Sequence, residues 1–60
     1  MFENFHDYAF RVKCNDNPLI IIKVVAEKYD EAVTYAKDMY ATNYSIYADD
    51  RYNLWQVEPL

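Results

Sequence analysis

Phe5-His6-Asp7-Tyr8-Ala9-Phe10-Arg11-Val12-Lys13-Cys14 alternates cleanly. Tyr8, Phe10, Val12 and Cys14 point one way; Asp7, Ala9, Arg11 and Lys13 point the other. A period of two held over this length predicts a strand with one buried face. Asn15-Asp16-Asn17-Pro18 comes next and reads as a turn, because Asn and Asp accept the left-handed region and Pro ends pairing. Leu19 to Ala26 is β-branched and apolar, a second strand that the short loop folds back as an antiparallel hairpin. Ile20, Ile22, Val24 and Ala26 form one of its faces, and Leu19, Ile21, Lys23 and Val25 the other. The second set is too apolar for a face left entirely in water, so a cover over it is expected.

The period changes over residues 29–41. Tyr29, Ala32, Val33, Ala36 and Tyr40 make one helical stripe with Met39 at its margin, which predicts an amphipathic helix of about three turns. Asp30 and Glu31 belong in its first turn, at the positive end of the helix dipole. The two alanines of the stripe allow close approach to a sheet, and Asn43 is the expected left-handed stop. Tyr44 to Ala48 alternates weakly, Asp49-Asp50-Arg51 reads as a turn, and Tyr52 to Glu58 reads as a last strand. Large apolar groups stand on both faces of that strand, so its inner face is left open. The expectation is a single-domain α+β fold over residues 1–60: an antiparallel sheet of three or four strands with one helix on one face, ordered ββαββ or ββαβ.

Sixty residues bury only about 60% of their unfolded surface, which implies a stability on the order of 3–5 kcal/mol. Cys14 and His6 are each alone in their residue type, which excludes an internal disulfide and the usual four-ligand zinc site. Dense aromatic packing or homodimerisation is expected to compensate. At 53% hydrophobic and 27% charged the composition is globular rather than disordered. The apolar run Leu19-Ile20-Ile21-Ile22 stops at Lys23, far short of a membrane span, and Met1-Phe2-Glu3-Asn4 has no export-signal character. With an unpaired cysteine this points to the cytoplasm. A net charge of −4, with six Lys and Arg spread along the chain, gives no expectation of direct nucleic-acid binding.

No catalytic or cofactor motif is present. His6 and Cys14 share one strand about 27 Å apart, too far for a dyad. Asp30-Glu31 and Asp49-Asp50 are accounted for by helix start and turn, and a chain without glycine has no Gly-rich phosphate loop. The chain is therefore expected not to be an enzyme and to need no cofactor. What stands out is seven tyrosines, with three Phe and one Trp. Tyr8, Tyr29 and Tyr40 fall on core stripes. Tyr35 lies off the helix stripe. Tyr44, Tyr47 and Tyr52 cluster with Asp49, Asp50, Arg51 and Trp55, and Tyr, Trp and Arg together are the composition of binding hot spots. These seven are the candidate partner-binding residues. The alternative is that their rings cover a small sheet or pair in a homodimer through the open sheet face or an edge strand, burying Ile21 and Val25. A second alternative is an acidic nucleic-acid mimic, although Glu3, Asp7, Glu27, Asp30, Glu31, Asp38, Asp49, Asp50 and Glu58 are scattered rather than arrayed in a row.

Val24-Val25-Ala26-Glu27-Lys28-Tyr29-Asp30-Glu31-Ala32-Val33-Thr34-Tyr35-Ala36-Lys37 runs from a strand through Ala into Glu-Ala-x-x-x-Ala on a helix. This quarter of the chain resembles short accessory proteins of tailed phages and mobile elements, anti-CRISPR proteins among them. The hairpin-then-helix layout is also similar to the partial-RNase-H-like fold of HicB-type antitoxins, which usually carry glycines around the hairpin. The phage resemblance implies a stoichiometric inhibitor that occludes a site on a larger host protein or defence complex.

Overall fold

A computed structural model describes residues 4–47 and 51–60 of the chain. Its elements are β1 (His6–Cys14), β2 (Ile20–Ala26), α1 (Tyr29–Asn43) and β3 (Trp55–Pro59). The order is ββαβ, and the sheet is antiparallel with strand order β2-β1-β3. The alternating strand is thus the central one. Phe10 lies opposite Ile22 on one side and Pro59 on the other, and Val12 lies between Ile20 and Val57.

The inner face and the helix stripe close one core. Phe10, Val12, Cys14, Ala26, Ala32, Ala36 and Tyr40 are fully buried, with Ile22 and Val24 nearly so. Each of the larger aliphatic and aromatic side chains there contributes about 1.5–3 kcal/mol by leaving water. Ala32 and Ala36 have no bulk beyond Cβ, which lets α1 settle directly on β1 and β2. Tyr8 and Phe10 stack on that face at 6.2 Å, and the Tyr29 ring meets both edge-on at 6.0 and 5.6 Å. Tyr29 remains half exposed, so it is a lid on this cluster rather than a core residue.

The helix starts after Lys28, whose extended backbone supplies the first acceptor to Ala32 N–H, with Asp30 and Glu31 in the first turn. It ends two residues beyond the expected stop. Ser45, not Asn43, takes the left-handed conformation at φ 55°. Ile46 N–H bonds back to Ala41 C=O at 2.9 Å and Ser45 N–H to Thr42 C=O at 3.4 Å, the paired bonds of a Schellman ending. That ending consumes Tyr44 and Ser45 and drops Ile46 onto the core, so the weak alternation from Tyr44 makes no strand among the described residues; Ala48 lies outside them. The last strand is regular only from Trp55, three residues later than expected, and Arg51-Tyr52 is a turn. Trp55 and Val57 face the helix side, which resolves the inner face of β3.

The opposite face of the sheet is uncovered. Ile21 and Val25 are 54% and 57% exposed, and Leu19 is also open to water. No element of the described chain supplies the expected cover.

Candidate protein-binding surface

Three apolar side chains around the entrance to β3 are almost fully in water: Tyr47 at 87%, Leu54 at 80% and Tyr52 at 79% exposed. Tyr47 and Tyr52 wall a cleft of about 580 Å³ whose floor is Ser45, Ile46 and Asn53. The Arg51 guanidinium lies 5.5 Å from the centre of the Tyr52 ring, a cation–π distance.

A relay of two asparagines holds this surface. Asn15 is left-handed at φ 55°, which turns its backbone carbonyl off the β1–β3 ladder and toward Lys13 Nζ at 2.6 Å. Its side-chain Oδ1 accepts from Leu54 N–H at 2.9 Å in place of that carbonyl, while Asn15 N–H still donates to Leu54 C=O at 3.0 Å. Asn15 Nδ2 donates to Asn53 Oδ1 at 3.0 Å, and Asn53 Nδ2 donates to Tyr47 C=O at 2.6 Å. The hairpin turn, the start of β3 and the segment after the helix are thereby tied at one point. Ordering the backbone that carries Tyr47 and Tyr52 before a partner arrives lowers the entropy cost of binding.

The seven candidates named from the sequence divide. Tyr47, Arg51 and Tyr52 are brought together and exposed. Tyr44 and Trp55 are not part of that surface. Tyr44 lies against Tyr40 at 4.6 Å, and Trp55 meets Tyr40 edge-on at 5.7 Å with Lys37 Nζ 5.7 Å above its ring. The reason is parity: Trp55 pairs with Cys14, so it shares the inner face with that residue. Its Nε1–H is buried with no hydrogen-bond acceptor among the described residues. Asp49 and Asp50 lie outside the described residues. Leu54, Asn53 and Asn15, absent from the expected set, complete the surface.

Tyr40 anchors the packing beneath. Its hydroxyl donates to Pro18 C=O at 2.5 Å. Burial pushes its pKa above the ordinary tyrosine value, and a backbone hydrogen bond with Cys14 works in the other direction.

No protein-family model matches the chain, and no curated protein or solved structure is significantly similar to it. Among the described residues no group of three His, Cys, Asp or Glu is placed to hold a metal ion, and no helix is long and apolar enough to cross a membrane. The register does gather Arg11, Lys13 and Lys23 on the uncovered face, which the linear order conceals. Asp7 and Glu58 share that face, with Glu58 opposite Arg11, so the charges are mixed rather than a basic platform.

Proposed function

We propose that this chain is a small non-enzymatic protein-binding module that acts by covering a site on a larger protein, through Tyr47, Tyr52 and Leu54 with Arg51 at their side. The observation that carries the reading is the exposure of these three apolar side chains on backbone held by the Asn15–Asn53 relay. Rings with few rotatable bonds, set on an ordered backbone, make the low-entropy anchors of a binding face. The cleft between the two rings is open to side chains of a partner. The resemblance to phage accessory proteins extends the proposal to a phage-encoded inhibitor of a host defence complex, working in the host cytoplasm at one copy per site. Neither a cofactor nor direct contact with nucleic acid enters this reading.

The test is affinity capture from bacterial lysate with the wild-type chain and with a Tyr47→Ala/Tyr52→Ala variant of unchanged thermal stability. Loss of a specifically retained protein in the variant supports the assignment. Equal retention by both chains overturns it.

A further inference from the structure

Ala9 C=O accepts from Leu60 N–H, and Asn15 N–H donates to Leu54 C=O, so the odd-numbered residues of β1 direct their backbone groups at β3. Backbone direction alternates along an antiparallel strand. Tyr8, Phe10 and Val12 therefore exchange bonds with Val24, Ile22 and Ile20, and the N–H and C=O groups of Ile21, Lys23 and Val25 point away from the sheet. Beside this edge runs a groove of about 500 Å³ between β2 and the helix, lined by Ile20, Ile22, Asp38, Met39 and Thr42. Met39 is half exposed, and Tyr35, one turn before it, is nearly so. The other edge of the sheet is shorter and carries Pro59, which has no N–H to offer. An extended strand is what satisfies a row of outward backbone groups flanked by an apolar groove.

We propose that the occupant is a second copy of this chain, its β2 added antiparallel to this β2 about a two-fold axis to give a six-stranded sheet with both helices on one side. Such a contact is closed, because each copy satisfies the other's β2 edge, and the outer edges of the joined sheet are the short β3 strands that carry Pro59. Charge selects the register. Centring the pair on Lys23 sets two ammonium groups opposite each other, which is unfavourable. A shift of two residues instead sets Ile22 against Ile22 of the second copy, Ile21 against Lys23 and Leu19 against Val25. A seven-residue strand is about 23 Å long, and on a body with shorter extents of 19 and 16 Å the wall it belongs to buries a total of roughly 800 Å² in a symmetric pair, the size of a weak, reversible contact. Association is therefore expected toward high micromolar concentration.

Sedimentation velocity across the micromolar range tests this, on the wild-type chain and on Lys23→Pro, which removes one outward N–H and leaves the β1–β2 bonds intact. The expected result is a wild-type mass approaching twice 7.2 kDa and a Lys23→Pro variant that stays at 7.2 kDa. A wild-type chain that remains monomeric at high micromolar concentration overturns the proposal. So does a dimer that Lys23→Pro leaves unchanged, since that dimer would use the open sheet face. Should Lys23→Pro fail to fold, amide exchange on the wild-type chain decides. The Ile21, Lys23 and Val25 amides gain protection with concentration if the edges pair, and concentration-independent exchange at all three counts against it.

Discussion

Asn15 holds Leu54 with one backbone bond and one side-chain bond: its N–H donates to Leu54 C=O at 3.0 Å, and its Oδ1 accepts from Leu54 N–H at 2.9 Å. The side chain stands where a backbone carbonyl belongs in the ladder. Asparagine is suited to the position twice over, since it tolerates positive φ and carries both an acceptor for Leu54 and a donor for Asn53.

Asn15→Gly separates these roles. Glycine relieves the left-handed conformation but loses both side-chain hydrogen bonds, each with a net contribution of about 1 kcal/mol. The expected outcome is a net loss of about 1 kcal/mol, seen as a fall in melting temperature of about 4–8 °C for a domain of this size. Faster amide exchange at Leu54 should accompany it. Asn15→Asp keeps the acceptor for Leu54 and loses the donor to Asn53, so it should loosen the link between the hairpin turn and Asn53 while leaving β3 in place. A glycine variant as stable as the wild type, with Leu54 still protected, contradicts the role given to the relay.

Ser45 is the opposite case. It occupies the left-handed position of the helix ending, and none of its side-chain atoms makes a described hydrogen bond that glycine would lose. Ser45→Gly removes the steric cost of roughly 1 kcal/mol and should raise the melting temperature by several degrees. Calorimetry of the two chains checks it; no gain, or a loss, would mean that Ser45 is held by something other than the Schellman bonds.

Tyr40 gives a pH signature. Burial raises its pKa in the folded chain, so above pH 10 the unfolded chain gives up this proton more readily than the folded one. The folded state then holds more protons, and its stability falls as pH climbs from about the unfolded value through the raised folded one. Tyr40→Phe should cost about 1 kcal/mol near neutral pH, from the lost bond to Pro18 C=O, and should show a shallower alkaline decline. Denaturant melts of both chains at neutral and alkaline pH measure the difference, and parallel declines would remove Tyr40 as its source.

How far the sequence could be read follows from the range of the interactions involved. The first strand, the hairpin and the helix stripe are local patterns, and Phe10, Val12, Ile22, Ala32, Ala36 and Tyr40 are buried as their spacing requires. The helix end was harder to place because Asn43 carries the better left-handed propensity, yet the fold needs Ile46 on the core and so moves the stop to Ser45. The beginning of β3 was hidden for a different reason. It is set by Asn15, 39 positions from Leu54, and only the folded register brings the two together. The same long-range pairing decides which rings are free: Trp55 turns inward because it lies opposite Cys14, a fact that no composition of the last ten residues contains.

Trp55 and Tyr52 therefore separate folding from binding. Trp55 packs on Tyr40, so Trp55→Ala should cost about 3 kcal/mol, most of the stability on the order of 3–5 kcal/mol expected for a domain this small. The variant should be marginally stable and partly unfolded, so lost partner binding in it would not report contact alone. Trp55→Phe removes the unpartnered Nε1–H along with part of the ring and should be far milder. Tyr52, at 79% exposed, should change stability by no more than about 0.5 kcal/mol when replaced by Ala, while weakening a partner contact at least tenfold if the proposed face is used. Circular dichroism melts alongside titration of the captured partner read both quantities on the same samples. Normal binding by a folded Tyr52→Ala chain removes this ring from the interface, and a folded, stable Trp55→Ala chain would show that the cluster around Tyr40 is not what holds β3 to the helix.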